Sequence, residues 1–324
     1  MRSTIQKQNS PPRRTSLITR YCLATVVLLE LLGPLAGESR GDFILRDDEQ
    51  LIVSSHHNQG VLFDRSRVSI VSGGSVTDLY AYNSSTVGIS AGSVTYIYAW
   101  DSSAVNMSGG SVGALIANDS SAVAISGISS PLQSVGILNA NDSSAVAISG
   151  GAVKELNASN YSTVDISGGS VGFDSSRVSL RTNNSSRVGI SGGSVAFLVA
   201  SDSSAVAISG GSITTLKAMP SSAVTFYGQN FRVAGGLAFD GERVLGTGTL
   251  SGEWIDGTRW VVNITYSNLT ATILAIPESA HKPFCVKYHA MDFTGDCKVD
   301  FSDLAVFLTH WLDCNLEPPE ACWE

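Results

Sequence analysis

Asp202–Ser212, read as DSSAVAISGGS, is the stretch that decides the fold. Asp142–Gly151 repeats it as DSSAVAISGG, and weaker copies begin at Asp64, Asn83, Asp101, Asp119, Asn160 and Asn184. A recurring unit of this kind implies one supersecondary element stacked on itself. The starts at Asn83, Asp101 and Asp119 lie 18 residues apart, as do Asp142 and Asn160, and Asn184, Asp202 and Pro220. Asp64 to Asn83 takes 19, with Val71 as the extra residue. Two units are longer: Asp119 to Asp142 takes 23 and includes Pro131, and Asn160 to Asn184 takes 24 and contains a half-copy, DSSRVSL, at Asp174–Leu180.

The unit Asp101–Asn118, DSSAVNMSGGSVGALIAN, can be read physically. Val105 and Met107 alternate, so both point to one side of a short strand. Gly109-Gly110 suits a corner, because glycine takes positive φ at little cost. Val112 opens a second strand, with Leu115 and Ala117 as further inward candidates. Asp119-Ser120-Ser121 turns the chain, since short polar side chains bond nearby backbone N–H groups. One unit offers too little apolar surface to fold alone. Burying a large side chain gains roughly 1.5–3 kcal/mol, while ordering each residue costs roughly 1–2 kcal/mol. Stacked units share backbone ladders and one continuous core.

The expected fold is therefore all-β: a single-stranded parallel β-helix, or β-solenoid, of about 18 residues per coil. A right-handed solenoid is favoured. A left-handed three-sided helix would need a small aliphatic residue at every sixth place, whereas the inward candidates fall at offsets 4, 6, 11, 14 and 16 from the Asp. An antiparallel sandwich explains the constant 18-residue spacing less well. At about 4.8 Å per coil, eight or so coils would make a rod of roughly 40 Å.

Outside the repeats the chain divides further. Residues 1–36 read as a secretion signal: Arg2, Lys7, Arg13, Arg14 and Arg20 precede an apolar stretch, Tyr21–Ala36. Its removal takes away those five positive charges and Glu30, which moves the formal charge from -8 to -12. A secreted, acidic body is a poor partner for nucleic acid, whose phosphates attract Lys and Arg. Residues 37–63 stand where a solenoid needs an N-terminal cap, 64–233 hold the repeats, and 234–279 carry paired strands, Gly turns, Trp254 and Trp260. That last stretch is expected to be a C-terminal β cap, its rival being a sugar-binding surface built on the two tryptophans.

Residues 280–324 carry the clearest chemical motif. Asp292–Asp303, DFTGDCKVDFSD, places oxygen-bearing side chains at places 1, 3, 5, 9 and 12: Asp292, Thr294, Asp296, Asp300 and Asp303. Lys298 at place 7 would offer its backbone carbonyl. This is the ligand spacing of a 12-residue Ca²⁺ loop. Leu304, Phe307, Leu308 and Trp311 follow at helical spacing, which predicts an amphipathic exit helix. Loop and helix together resemble one half of a type I dockerin, the calcium-dependent module that docks onto cohesin domains. The resemblance covers Asp292 to about Asp313 and includes Val299 at place 8 and Asp at place 12. Place 6 holds Cys297 where such loops carry Gly, Thr294 stands at place 3, and there is no second loop. The resemblance implies Ca²⁺ as cofactor and a cohesin-like or other cell-surface protein as partner. Cys285, Cys297, Cys314 and Cys322 allow three disulfide pairings, of which Cys285–Cys297 with Cys314–Cys322 closes the shortest loops.

The remaining candidates are weaker. The column Asn83, Asp101, Asp119, Asp142, Asn160, Asn184 and Asp202 would stack on one edge, and it reads as turn residues rather than a cation site. The repeats hold no His, and Arg67, Lys154, Arg177, Arg187 and Lys217 form no evident constellation. His56-His57 read as surface residues, and Asp174 with Arg177 would be the first place to look for catalysis. N-x-S/T sequons, among them Asn83, Asn106, Asn263 and Asn268, arise readily in a chain this rich in Asn and Ser. The expectation is a secreted, extracellular or cell-surface, non-enzymatic scaffold or adhesin. The alternative is a polysaccharide-binding or polysaccharide-degrading β-helix.

Overall fold

The computed structural model describes residues 41–127, 134–172, 177–239, 242–267 and 272–277. The signal stretch 1–36, the insertion around Pro131, Asp174 and the whole of 280–324, with its expected calcium loop, helix and cysteines, lie outside the described residues. The described part is a parallel β-solenoid of two strands per coil. No helix occurs among the described residues.

In the unit from Asp101 the strands are Ala104–Met107 and Ser111–Ala117. Val105, Met107, Val112, Leu115 and Ala117, the five inward candidates, are all buried. Successive coils pair in parallel and in register, so like sits on like. One column runs Val87, Val105, Val123, Val146, Val164, Val188, Val206 and Val224. Another runs Leu79, Ile97, Leu115, Leu138, Leu156, Leu180, Leu198 and Leu216. Parallel pairing throughout the repeats rules out the antiparallel sandwich.

Two corners close each coil. Asp47, Asp64, Asn83, Asp101, Asp119, Asp142, Asn160, Asn184 and Asp202 all have φ between 54° and 62°, and in the unit that begins with Pro220 the positive φ falls on Ser221. This left-handed region is one that Asp and Asn tolerate better than other side chains, so the first letter of the repeat is set by backbone geometry. At the opposite corner Gly211 has φ +74°, and a Cβ there would lie 2.7 Å from the Gly192 carbonyl of the coil below. Only glycine fits both demands.

The longer units keep the register of the strands on either side of the extra residues. After Ala122–Ile125 the chain resumes at Ser134–Ala140, with Val135 beside Val112 and Leu138 beside Leu115. The half-copy DSSRVSL does not make a new coil. Ser170–Val171 and Leu180–Thr182 are two pieces of one long strand, both paired with Ala152–Ala158. Ser179 is buried there, its Oγ donating to the Phe197 carbonyl at 3.1 Å and accepting from the Phe197 N–H at 2.9 Å.

At the N-terminal end, residues 43–62 of the expected cap continue the stack itself. Gln50–Val53 pairs with Arg67–Ile70, His56–Leu62 pairs with Ser75–Ala81, and Phe43–Leu45 lies beside Gly60–Leu62. Phe43 occupies the space that a side chain at Gly60 would need, so one ring stands in for the column's last aliphatic residue. At the other end Ala223–Phe239 starts as a parallel strand and then leaves the stack as a hairpin with Val244–Glu253. Arg259–Ser267 returns to pair with Thr215–Ala218, and Thr272–Pro277 pairs with Ala223–Gly228. The short-strand and long-strand sides of the last coils are both paired in this way. Trp254 and Trp260 stack at 4.7 Å, Trp260 lies on Phe226 at 5.1 Å, and the Trp254 Nε1–H donates to the Gly211 carbonyl at 3.0 Å. Both tryptophans are buried, so they seal the core rather than forming a sugar-binding surface.

Inward and outward positions should differ sharply in cost. Leu138→Ala, at a fully buried position, should lower the unfolding free energy by about 2–5 kcal/mol. Ala145→Ser, on the outer side of the neighbouring short strand, should change it by less than about 0.5 kcal/mol. Urea denaturation of the two variants checks this, and comparable losses would contradict the burial pattern.

Candidate functional site

The expected ligands Asp292, Thr294, Asp296, Lys298, Asp300 and Asp303 lie outside the described residues, so the candidate surface is built from the coils. Outward positions repeat every coil just as inward ones do, so any outward side chain has a neighbour about 5 Å above and below. Three kinds of outer ladder result.

The first is the turn column. Asp101 Oδ2 accepts the Asn83 N–H at 3.1 Å, Asp119 Oδ2 that of Asp101 at 3.3 Å, and Asp202 Oδ2 that of Asn184 at 3.3 Å. Asn83 Nδ2 donates to Asp64 Oδ1, Asn160 Nδ2 to Asp142 Oδ1 and Asn184 Nδ2 to Asn160 Oδ1. These carboxylates bond the next coil, which suits turn residues. Among the described residues no three His, Cys, Asp or Glu side chains come together as a metal site.

The second is a ladder of rings on the outside of the long strands. Phe63, Tyr82 and Trp100 stack at 5.3 and 4.9 Å, with planes within 12° and 6°. Beside them Tyr80 stacks on Tyr98 at 5.1 Å and 10°. The Arg46 guanidinium covers Phe63 at the lower end, 5.4 Å from its centroid. Within one coil Tyr96, Tyr98 and Trp100 stand side by side, with centroids 6.4 and 5.5 Å apart and planes within 22° and 11°. Burial, Asp78 and Tyr98 together push the Tyr80 hydroxyl pKa up, against a hydrogen bond from Gln59. The third ladder is of amides. Asn141 Nδ2 donates to Asn118 Oδ1 at 3.0 Å, and Asn157 Nδ2 to Asn139 Oδ1 at 2.9 Å.

The other sequence candidates are placed apart. His56 bonds Ser75 Oγ at 2.9 Å and Asn58 Oδ1 at 3.2 Å, while His57 bonds the Gly41 carbonyl and meets Phe43 edge-on. Arg177 is exposed, and Asp174 is outside the described residues. Sequence reasoning missed the ring ladder. The signal was available: Tyr80 and Tyr98, and Tyr82 and Trp100, are each 18 residues apart at outward offsets.

Asp165 is a separate feature, on the outer side of the short strands between Ala147 and Gly189. Its Oδ1 covers Gly189, where an added Cβ would lie 2.8 Å from it. Burial pushes its carboxyl up to about 6 from the ordinary 3.8. No protein family, curated protein or solved structure matches the chain. The class is therefore set by the fold alone: a parallel β-solenoid protein.

The Asp165 shift has a definite sign. The native state keeps this proton to higher pH than the unfolded chain, so the neutral carboxyl favours folding at low pH, and the advantage is lost as pH rises from about 4 through about 6. Asp165→Asn should melt like the parent near pH 4 and above it at pH 7–8. Thermal melts across that range check this; a constant offset, or one that grows on acidification, would contradict it.

Proposed function

We propose that the chain is a secreted, non-enzymatic β-solenoid scaffold, structural or adhesive, attached through a calcium-binding, dockerin-like C-terminal module to a cohesin-like or other cell-surface partner. The observation that best supports the scaffold is the unbroken in-register stack, closed by Trp254 and Trp260 at one end and Phe43 at the other. Every inner coil shares backbone ladders with two neighbours, so bending the rod would break many bonds at once. A rod of this kind suits holding something at a distance or presenting a repeated surface. The support for attachment is the ligand spacing Asp292, Thr294, Asp296, Lys298, Asp300 and Asp303, with hard oxygen donors for one Ca²⁺.

Calorimetric titration of the secreted full-length chain with CaCl₂ tests the tail. One Ca²⁺ site is expected, weakened roughly tenfold or more by Asp296→Ala through loss of a charged ligand. Absence of a calcium signal, or equal affinity in the variant, would overturn the calcium-loop assignment.

A further inference from the structure

The geometry points to a binding site for an uncharged linear polysaccharide on the long-strand face, along the step formed by Tyr96, Tyr98 and Trp100. It develops the carbohydrate alternative and does not depend on the C-terminal module.

The step arises from register. Tyr96 is followed in its column by Ala114, Tyr98 by Ile116, and Trp100 by Asn118, whose N–H bonds the Ala99 carbonyl at 2.9 Å. Large rings therefore give way, one coil on, to smaller side chains. The rings of the lower coils are stacked against one another, and Arg46 covers the bottom of the Phe63 column. On the next coil the register partners of the three rings are Ala114, Ile116 and Asn118. The result is a wall of three near-parallel rings standing over a low floor, and Tyr96 is 43% exposed.

The chemistry of wall and floor selects the ligand. Sugar rings have apolar C–H faces that stack on aromatic faces, and hydroxyls that need amide and hydroxyl partners. Asn118 accepts from Asn141 through Oδ1, which leaves its amide donor for a ligand oxygen. Asn139 and Asn141 continue the amides on the next coil. The three long strands involved, Ser93–Ala99, Ser111–Ala117 and Ser134–Ala140, contain no charged residue. The nearest charges are the carboxylates of Asp101, which follows Trp100, Asp119, which follows Asn118, and Asp78, paired with Tyr96, and all three would repel an acidic polymer. Three ring faces in a row, 6.4 and 5.5 Å apart, match consecutive sugars of one chain lying along the strand direction rather than a single monosaccharide. A row of flat rings beside small and amide side chains suits stacked sugars better than a protein partner, whose binding concentrates on side chains seated in desolvated pockets.

Affinity electrophoresis of the full chain in gels containing β-1,4-glucan, xylan or β-1,4-mannan tests the site, with polygalacturonate as the charged comparison. Retardation by at least one neutral polymer is expected. Trp100→Ala and Tyr96→Ala should each weaken it about tenfold, the loss of about 1.4 kcal/mol. Trp100→Phe, which keeps a flat ring, should retain most of the affinity. Asn106→Ala on the short-strand face should leave it unchanged, and circular dichroism melts report whether each variant is folded. No retardation by any neutral polymer, retardation by polygalacturonate alone, or undiminished retardation of folded Tyr96→Ala and Trp100→Ala would each overturn the proposal.

Discussion

Everything in this molecule depends on one constraint: each coil must return its chain to the same place about one strand spacing higher. Parallel pairing places every residue against its own counterpart one repeat away, so a tolerable choice at one position must be tolerable over and over. Inside, the constraint favours Val, Ile and Leu, whose columns are buried along the core. At the turns it favours Asp and Asn, which accept a left-handed backbone and can bond their neighbours in the column. At the other corner it leaves room only for glycine. The apparent low complexity of the sequence is the written form of that geometry.

The same constraint explains how irregularity is handled. Six extra residues in the unit from Asn160 do not shift the register; they split one long strand, with Val171 and Leu180 keeping their places beside Val153 and Leu156. The ends cannot use the rule, because a terminal coil lacks one neighbour. There bulky rings take over: Phe43 fills the place of a missing side chain, and Trp254, Trp260 and Phe226 form a stacked plug. After the hairpin, Arg259–Ser267 and Thr272–Pro277 pair with the strands of the last coils, which covers edges that would otherwise be open to other chains.

Much of the fold was legible because period and polarity agree: the offsets of Val105, Met107, Val112, Leu115 and Ala117 are those buried in the structure. Three features escaped. Ser103 and its counterparts are as buried as the aliphatic columns, yet a polar residue beside Asp reads as turn surface. Residues 43–62 belong to the stack although they share almost no letters with the repeat, because strand pairing needs only alternation. The ring ladder is not marked by the inward periodicity that defines the coil, because Phe63, Tyr82 and Trp100 stand at outward offsets. The calcium loop is legible as spacing alone, and its residues lie outside the described part of the chain.

The central claim is that an 18-residue coil is the unit of folding, and removing one coil tests it most directly. Deleting residues 142–159 joins Asn141 to Asn160 and keeps every column in register. That variant should melt cooperatively, with strand content falling in proportion. Deleting 142–150 instead removes half a coil, a deficit that no extra turn residue can absorb, and brings Ala152–Ala158 to the place of the short strand. It should fail to give a cooperative transition. Equal behaviour of the two deletions would contradict the account.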